Sequence, residues 1–300
     1  MSEKKKQKDT LVILGRYDCP RVTHLKSFIE ELVSKVKDFP VVEPILCFET
    51  EFEAKRESLL KENLDFLKYQ KSPIIYLQDQ SNKKTLIGSL EEFQKYAVET
   101  YLIHDIRKTS EFEEETKKSL ANFLDTNGNK YVYMNFSIED EEEPKSEKVI
   151  FELFKNKCPV TAENFLSLCV GFNNEKGKKI CYQNSIIHRV SKYSFIQGGD
   201  IREEGSKSIY EKEFNDEHYD IKHDIPGILG MVKRGNRNHT NECQFYITLC
   251  PLKSFDNNFV AFGRVIQGFD TIQKIGALDT HLQRPIKRVV ISECGEYKIE

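Results

Sequence analysis

The chain has 300 residues, which is enough for two domains of ordinary size, because single cores stop growing at about 250–300 residues. It is 39% hydrophobic and 31% charged, with 20 Phe and 13 Tyr, a composition that favours a soluble chain with buried cores over a membrane protein. The 45 basic and 48 acidic side chains leave a formal net charge of -3, so electrostatics points to neither nucleic acid nor an anionic membrane as a partner.

The N-terminal segment and the spacing of the cysteines bear on membrane attachment, thiol oxidation and metal binding. MSEKKKQKDT is polar and basic with no apolar core after it, so we expect neither a signal peptide nor an anchor. No segment approaches the ~20 apolar residues of a spanning helix. The eight cysteines are scattered, without CxxC pairs or histidines at zinc-finger spacing. We therefore expect reduced thiols in the cytoplasm, and the sequence predicts no metal site and no cofactor.

Residues 9–105 alternate apolar strands with amphipathic helices. A strand from Leu11 to Leu14 precedes a helix whose apolar residues recur at helical spacing, and VVEPILCFE predicts a second strand. A second helix is predicted over EAKRESLLKENLDFLKYQ, then a hairpin from SPIIYLQD and KKTLIGS, then a helix over LEEFQKYAVETYL. The order β-α-β-α-β-β-α predicts a small α/β domain.

This order of elements resembles the thioredoxin and glutaredoxin fold. Asp18-Cys19-Pro20 opens the first helix, Ser72-Pro73 precedes a strand, and Ile87-Gly88-Ser89 precedes the last helix. In that family a thiol at the N-terminus of the first helix is activated by the helix dipole, with a cis-proline beside it. Val22 stands where the family usually has its second cysteine, so the resemblance implies no dithiol exchange. Cys19 is then either a small residue in a scaffold domain, which we favour because no Lys or His adjoins it, or a monothiol.

Two charged segments separate the predicted folded regions. Residues 106–128 are rich in charge and end in the turn dipeptide Asn127-Gly128, which predicts a charged, partly helical linker. The run EDEEEPKSE at 139–147 is strongly acidic and lies between two segments of alternating polarity. We interpret it as a solvated loop between strands, with an acidic docking site as the alternative.

From Tyr131 onward the apolar pattern has a period of two residues, which is typical of strands. Short strands are predicted at YVYMNFSIE, KVIFELF, IIHRV, FIQGGD, GILGMVK, QFYITL, VAFGRVIQG and RVVISECGEY. Two helices, CPVTAENFLSLCVG and FDTIQKIGA, interrupt them. The pattern predicts a mainly-β closed barrel of eight strands with two helices over residues 129–300.

The same region carries the motifs of a known family. IFELF, CPVTAENF, HRV, FIQGGD, GILGM, QFYIT and FGRVIQG occur in the order and approximate spacing of the cyclophilin-type peptidyl-prolyl isomerases, and this resemblance covers residues 130–298. The combination with a thioredoxin-like front is similar to one divergent branch of cyclophilin-like proteins. That branch is linked with cilia, so the resemblance implies axonemal or microtubule-associated partners for a protein of the cytoplasm or cilium.

The resemblance implies a catalytic set of Arg189, Gln197 and Gln244. Arg189 matches the guanidinium that reaches the prolyl nitrogen as the X-Pro bond twists, and the two glutamines match side chains that hold the peptide backbone. His188 matches a structural position. Because alternate residues of a strand share a face, Arg189 and Gln197 are expected on one face of two neighbouring antiparallel strands. The alternative is that Arg189 forms a structural salt bridge, which the rest of the pattern disfavours.

The resemblance also implies an apolar pocket for proline. Its predicted residues are Phe195, Val232, Tyr246, Phe255 and Phe259. Two positions depart from the family, since Ser194 stands where it usually has an aromatic floor residue and Ser254 where many members have Trp or His. Losing an aromatic wall removes about 1.5–3 kcal/mol of burial, which would lower affinity for a prolyl peptide by roughly one or two decades. Lys233, and a two-residue insertion in GNRNHTNECQ with Glu242 in place of Gly, alter the neighbouring loop.

Two functions from different classes are therefore predicted. The first is a prolyl isomerase of low to moderate activity that acts on proline-containing protein segments. The second is a catalytically inactive scaffold or interaction protein, favoured by Ser194, Ser254 and the missing second thiol. A thiol reductase, which would depend on Cys19 alone, ranks last.

Overall fold

The computed structural model describes residues 8–139, 147–201 and 208–298, and it divides into two compact units between Phe123 and Leu124. Residues 140–146 of the acidic run, which the sequence interpretation assigns to a solvated loop, lie outside the described residues. Across the described ranges, each helix is too short or too polar to cross a bilayer.

The first unit has the order of elements that the sequence predicts. They are β1 (Thr10–Arg16), α1 (Pro20–Lys35), β2 (Val41–Cys47), α2 (Glu49–Glu62), β3 (Ile74–Gln78), β4 (Lys84–Gly88) and α3 (Leu90–Tyr101). The second helix begins earlier than predicted, and its last part is a separate 3-10 helix at Leu64–Lys68. The break lies at Asn63, whose backbone is extended and whose side chain accepts a hydrogen bond from the Asp65 amide.

The sheet of the first unit runs in the order β2-β1-β3-β4. β1 is parallel to β2 and antiparallel to β3, and β3 is antiparallel to β4. Leu11 and Ile13 of β1 belong to the core cluster that includes α1 and α3 residues, whereas Val12 and Leu14 belong to a second cluster with α2 residues. Because helices cover both faces of β1, its apolar residues form an uninterrupted run.

The segment interpreted as a linker begins inside the first unit. It contains a 3-10 turn at Thr109–Phe112 and α4 (Glu113–Thr126). The Phe112 ring stacks on His24 of α1 with centroids 4.5 Å apart, and Thr116 Oγ1 lies 2.6 Å from Thr23 Oγ1. The first unit therefore extends past the predicted boundary at residue 105, because these buried contacts attach the start of the segment to α1.

The second unit is built mainly from strands. Its elements are β5 (Lys130–Ile138), β6 (Glu147–Leu153), α5 (Pro159–Val170), β7 (Phe172–Asn173), β8 (Lys179–Ile180), β9 (Ile187–Ser191), β10 (Phe195–Gly198), β11 (Ile228–Lys233), β12 (Asn241–Thr248), β13 (Ala261–Gln267), α6 (Phe269–Ala277), β14 (Thr280–His281), β15 (Arg284–Pro285) and β16 (Val289–Glu296). An eight-stranded sheet runs in the order β16-β5-β6-β13-β11-β12-β10-β9, with antiparallel neighbours throughout. A bridge between Ile186 and Val290 joins its two ends. The predicted eight-stranded barrel is thus confirmed as nearly closed.

Side chains fill the interior of the barrel. Val132, Met134 and Phe136 alternate along β5 into the core, and Phe165 of α5 lies 5.3 Å from the Phe245 ring. A barrel of this strand number has room for packed side chains and little else. A protein segment that binds this unit must therefore bind its outer surface.

Candidate functional site

Strands β9 and β10 place Arg189 directly opposite Gln197. Val190 and Ile196, the intervening residues on the two strands, belong to the barrel core. Arg189 and Gln197 consequently share the opposite, outer face, as the two-residue period of a strand predicts. Arg189 Nη1 donates a hydrogen bond to Gln197 Oε1 at 3.4 Å.

A row of amide side chains continues this contact across the sheet. Gln197 Nε2 donates to Gln244 Oε1 at 2.8 Å, and Gln244 Nε2 donates to Asp200 Oδ2 at 2.8 Å. Each amide thus has both its oxygen and its nitrogen bound by a neighbour, which fixes its rotamer. The structure brings together the three side chains predicted as the catalytic set, and it adds Asp200 as the residue that orients Gln244.

The Arg189 side chain is exposed, and its guanidinium carbon lies 5.1 Å from the centre of the Phe195 ring. An arginine over an aromatic face is attracted by the ring quadrupole and keeps its N–H edge free to donate. The guanidinium is therefore positioned on the surface of the barrel without being buried by it.

Four aromatic rings form an apolar patch next to the amide row. Phe195 lies 6.1 Å from Tyr246 and 5.5 Å from Phe255, and Phe255 lies 4.7 Å from Phe259. Tyr246 is buried, whereas the three phenylalanines are half-buried. Four of the five predicted pocket residues thus contact one another, and the fifth, Val232, is half-buried at the bulge of β11.

The two serines lie at the edges of this patch. Ser194 is in the turn between β9 and β10, where its amide donates to the Ser191 carbonyl at 2.9 Å and its carbonyl accepts from the Leu249 amide at 2.7 Å. Ser254 is exposed within the 3-10 turn Lys253–Phe255. Neither position therefore adds an aromatic side chain to the patch.

A buried hydrogen-bonded chain that sequence reasoning missed supports Tyr246. His223 Nε2 lies 2.7 Å from Tyr246 Oη, and His223 Nδ1 lies 3.0 Å from Asp256 Oδ1. Burial lowers the pKa of His223 despite the adjacent Asp256 carboxylate, so the imidazole is neutral at pH 7. Its Nδ1 proton then goes to Asp256, and Nε2 accepts from the tyrosine hydroxyl.

The glycine opposite Tyr246 makes room for this hydroxyl. Gly230 of β11 pairs with Tyr246 of β12, and a Cβ atom at residue 230 would overlap Tyr246 Oη. Any side chain there would collide with a ring that Phe195, Phe255 and Phe259 already surround. One signal was available in the sequence, since a buried tyrosine hydroxyl requires a polar partner, but nothing local identifies which one.

A buried ion pair was also missed. Lys233 Nζ lies 3.0 Å from Asp216 Oδ2, with both side chains 2% exposed. The same ammonium group lies 5.9 Å from the Phe259 ring centre and donates to Asn238 Oδ1, in the loop between β11 and β12, at 2.9 Å. Lys233 therefore connects the aromatic patch to the loop between β11 and β12.

Cys19, the predicted candidate of the first unit, precedes α1 at its N-cap position. Its sulfur lies 3.5 Å from the carbonyl oxygen of Ser72, and the Ser72-Pro73 peptide bond is cis. Arg16 is paired with Asp18 at 2.6 Å next to it. The thiol is half-buried, and its described hydrogen bond is to backbone rather than to a catalytic base.

Comparison with known proteins identifies each unit with a family model. Residues 133–296 match the model of the cyclophilin type peptidyl-prolyl cis-trans isomerases. Residues 10–131 match a model described as the putative malate dehydrogenase 1B N-terminal domain, so the family match of the first unit is not to thioredoxin.

Curated relatives cover almost the whole chain. A human protein named "Probable inactive peptidyl-prolyl cis-trans isomerase-like 6" is 31% identical over 95% of this chain and 90% of its own length. The mouse protein of the same name is 33% identical over 85% of this chain and 80% of its own length. The mouse NK-tumor recognition protein is 43% identical over 54% of this chain, which is 11% of that protein.

Proposed function

Because the chain belongs to the family of cyclophilin-type peptidyl-prolyl cis-trans isomerases, we propose that its barrel binds proline-containing protein segments and isomerises their X-Pro bonds slowly. The observation that carries this proposal is the exposed Arg189 guanidinium, held over Phe195 and beside Gln197 at the edge of an apolar patch. A cation at that position adjoins both an apolar surface for a proline ring and amides for its backbone.

The proposed chemistry requires little beyond this arrangement. An X-Pro bond rotates slowly because resonance gives the C–N bond double-bond character, with a barrier of about 18–20 kcal/mol. In the twisted state the prolyl nitrogen becomes pyramidal and gains a lone pair. An N–H of Arg189 donates to that lone pair, and since the planar amide offers none, the bond stabilises the twisted state more than the ground state.

The amide row holds the peptide during this rotation. Gln197 and Gln244 each retain one N–H that is not used in the bond to the next side chain, so each can donate to a backbone carbonyl of the bound segment. Asp200 keeps Gln244 in one orientation. Positioned groups of this kind lower the entropic cost of reaching the twisted state.

Weak binding follows from the two serines. Ser194 and Ser254 leave the aromatic patch without two of the walls that the family resemblance implies. A second function is therefore a non-catalytic protein that binds proline-containing segments as a scaffold, and it is favoured by the relatives named probable inactive. Both functions use the same surface, and they differ in whether the bound X-Pro bond is isomerised.

The test uses the full-length chain with a panel of X-Pro peptides and two NMR measurements. Titration gives affinity, and exchange spectroscopy gives the rate of cis/trans interconversion at catalytic protein concentration. We expect millimolar to high-micromolar binding with exchange faster than the spontaneous reaction. Binding without faster exchange would select the scaffold, and the absence of both would overturn the proposal.

For the first unit we infer a thioredoxin-like scaffold without reductase activity. The sheet order β2-β1-β3-β4, with one parallel and two antiparallel pairs, and Cys19 at the N-terminus of α1 support the likeness. Val22 in place of a second thiol leaves no partner for dithiol exchange. Reduction of insulin disulfides by the full chain, lost in Cys19→Ser, would contradict this inference.

The cellular setting is proposed from the resemblance to the divergent cyclophilin-like branch alone. We propose that the partners are proline-containing segments of axonemal or microtubule-associated proteins, in the cytoplasm or the cilium. Imaging of the tagged full-length chain in ciliated cells tests this, and a distribution that excludes the axoneme would contradict it.

A further inference from the structure

A short hairpin from another part of the chain lies beside Arg189. β14 and β15 pair through a two-residue turn, in which Leu282 has φ 49° and Gln283 has φ 66°. Both values lie in the left-handed region, which favours glycine and costs other residues about 1–3 kcal/mol when the conformation is sparsely populated. The surrounding contacts must therefore hold this turn in place.

Backbone and side-chain contacts attach the hairpin to β9. The Val190 amide donates to the Gln283 carbonyl at 2.7 Å, next to Arg189 in the strand. At the other end of the hairpin, Lys192 Nζ lies 3.2 Å from Asp279 Oδ1, and the Ile286 amide donates to the Asp279 carbonyl at 2.9 Å. The tip of the hairpin is thus fixed beside the guanidinium.

The Gln283 side chain uses this position to bind Arg189. Arg189 Nε donates to Gln283 Oε1 at 2.7 Å, which is shorter than the 3.4 Å bond from Nη1 to Gln197 Oε1. The guanidinium has five N–H groups, and these two bonds engage one on each side of it. The remaining N–H groups, including both on Nη2, are not used in these two bonds and are left for a bound segment.

We propose that Gln283 is a positioning residue that fixes the Arg189 guanidinium in the orientation that meets the prolyl nitrogen. The inference rests on the proposed function. An exposed arginine has many rotamers, and a donor that must be ordered when the peptide binds contributes less than one ordered beforehand. The strained turn fits this role, because the side chain of residue 283 reaches Nε only while the tip lies against β9.

The main variant is Gln283→Leu, whose side chain is one atom shorter than that of Gln and has no acceptor. The backbone bond from Val190 to residue 283 is retained, so the hairpin stays attached. We expect kcat/KM for X-Pro peptides to fall about tenfold, or about 1.4 kcal/mol, with a melting temperature close to that of the wild type. Gln283→Glu, which restores an acceptor for Nε, should recover most of the loss.

A second readout does not depend on activity. In the wild type the Arg189 Nε–H resonance should exchange slowly with water, and in Gln283→Leu it should exchange several times faster. His281→Ala is the matched control, since this exposed residue lies in the same hairpin. It should change neither the exchange rate nor kcat/KM.

The two measurements distinguish a failure of the Gln283 positioning role from a failure of the proposed isomerase function. If the wild type neither binds nor isomerises prolyl peptides, the proposed function fails, and the Nε–H exchange alone decides whether Gln283 holds Arg189. If Nε–H exchange and kcat/KM are unchanged in Gln283→Leu, the positioning role is overturned. It is also overturned if Gln283→Glu and Gln283→Leu lose activity equally, because the acceptor then has no effect.

Discussion

Replacing Asp216 by Asn should destabilise the second unit strongly, although the two side chains have nearly the same shape. The Asp216 carboxylate is 2% exposed and pairs with Lys233 at 3.0 Å. It also accepts from Tyr219 Oη at 2.7 Å, from the His239 amide at 2.9 Å and from Asn241 Nδ2 at 2.9 Å. The substitution removes the negative charge and leaves the Lys233 ammonium buried.

The magnitude follows from the loss of one partner of a buried pair, which costs about 3–5 kcal/mol. In a unit of this size, each kcal/mol lowers the melting temperature by roughly 2–4 °C, so we expect a fall of about 6–20 °C. Two polar contacts of Lys233 remain, to Tyr219 Oη at 3.1 Å and Asn238 Oδ1 at 2.9 Å, but neither is charged at pH 7. These contacts place the expected fall at the lower end of the range.

Acid pH should reduce the difference in stability between the wild type and Asp216→Asn. Burial alone would raise the pKa of Asp216, but hydrogen bonds from the His239 amide, Tyr219, Asn241 and Lys233 outweigh burial and lower it. A carboxyl group with a lowered pKa stabilises the fold above its unfolded pKa of about 3.9, and that stabilisation is lost as pH falls through the lower folded value. The gap between wild type and variant should therefore be full at pH 7 and shrink below roughly pH 4.

The assay is thermal unfolding followed by near-ultraviolet circular dichroism at pH 7 and at acid pH. Asp220→Asn is the matched control, because its carboxylate lies nearby in the chain and is 88% exposed. It should change stability by no more than about 0.5 kcal/mol. If the two variants melt at the same temperature at pH 7, the buried ion pair contributes nothing and the reasoning is refuted.

Three further predictions concern the candidate site. Arg189→Ala should lower the isomerisation rate measured by NMR exchange about 10²-fold without changing the melting temperature. The reason is that a charge-assisted bond formed mainly in the twisted state is worth roughly 3 kcal/mol. A less than threefold fall would exclude the proposed role of Arg189. Ser194→Phe with Ser254→Trp should raise affinity for an X-Pro peptide by about one or two decades in a calorimetric titration, and no gain would show that the serines do not limit binding. Tyr246→Phe should lower the free energy of unfolding, measured by urea denaturation, by about 1–3 kcal/mol, because it leaves buried His223 Nε2 without its donor. An unchanged free energy of unfolding would contradict that contact.

Much of the fold could be predicted because it depends on local periodicity. The helical spacing before residue 105 and the two-residue alternation after Tyr131 predict the order of elements in both units. The same alternation places Arg189 and Gln197 on one face, since that requires only two strands and the short turn between them. The aromatic patch follows from the family resemblance rather than from the pattern.

Other parts of the site depend on contacts between residues far apart in the chain. Gln283 lies 94 residues from Arg189, and Asp256 lies 33 residues from His223. Their meeting is decided by strand register and by the path of the hairpin over β9, and single side chains in loops carry no periodic signal of that path. Phe112 likewise lies in a segment that the sequence predicts as a charged linker. Only the structure shows that its ring stacks on His24.

The order of residues alone is enough to predict the two folded regions and the face on which the polar residues of the second one lie, because strand and helix periods are properties of neighbouring residues. The family of the second region follows from its ordered motifs. The groups that orient those side chains come from distant parts of the chain and are seen only in the folded barrel: Gln283 for Arg189, Asp200 for Gln244, and the chain of His223 and Asp256 for Tyr246. The physical reason is that a hydrogen bond forms or fails within a few tenths of an ångström. That accuracy is set by packing of the whole barrel and not by any segment of it.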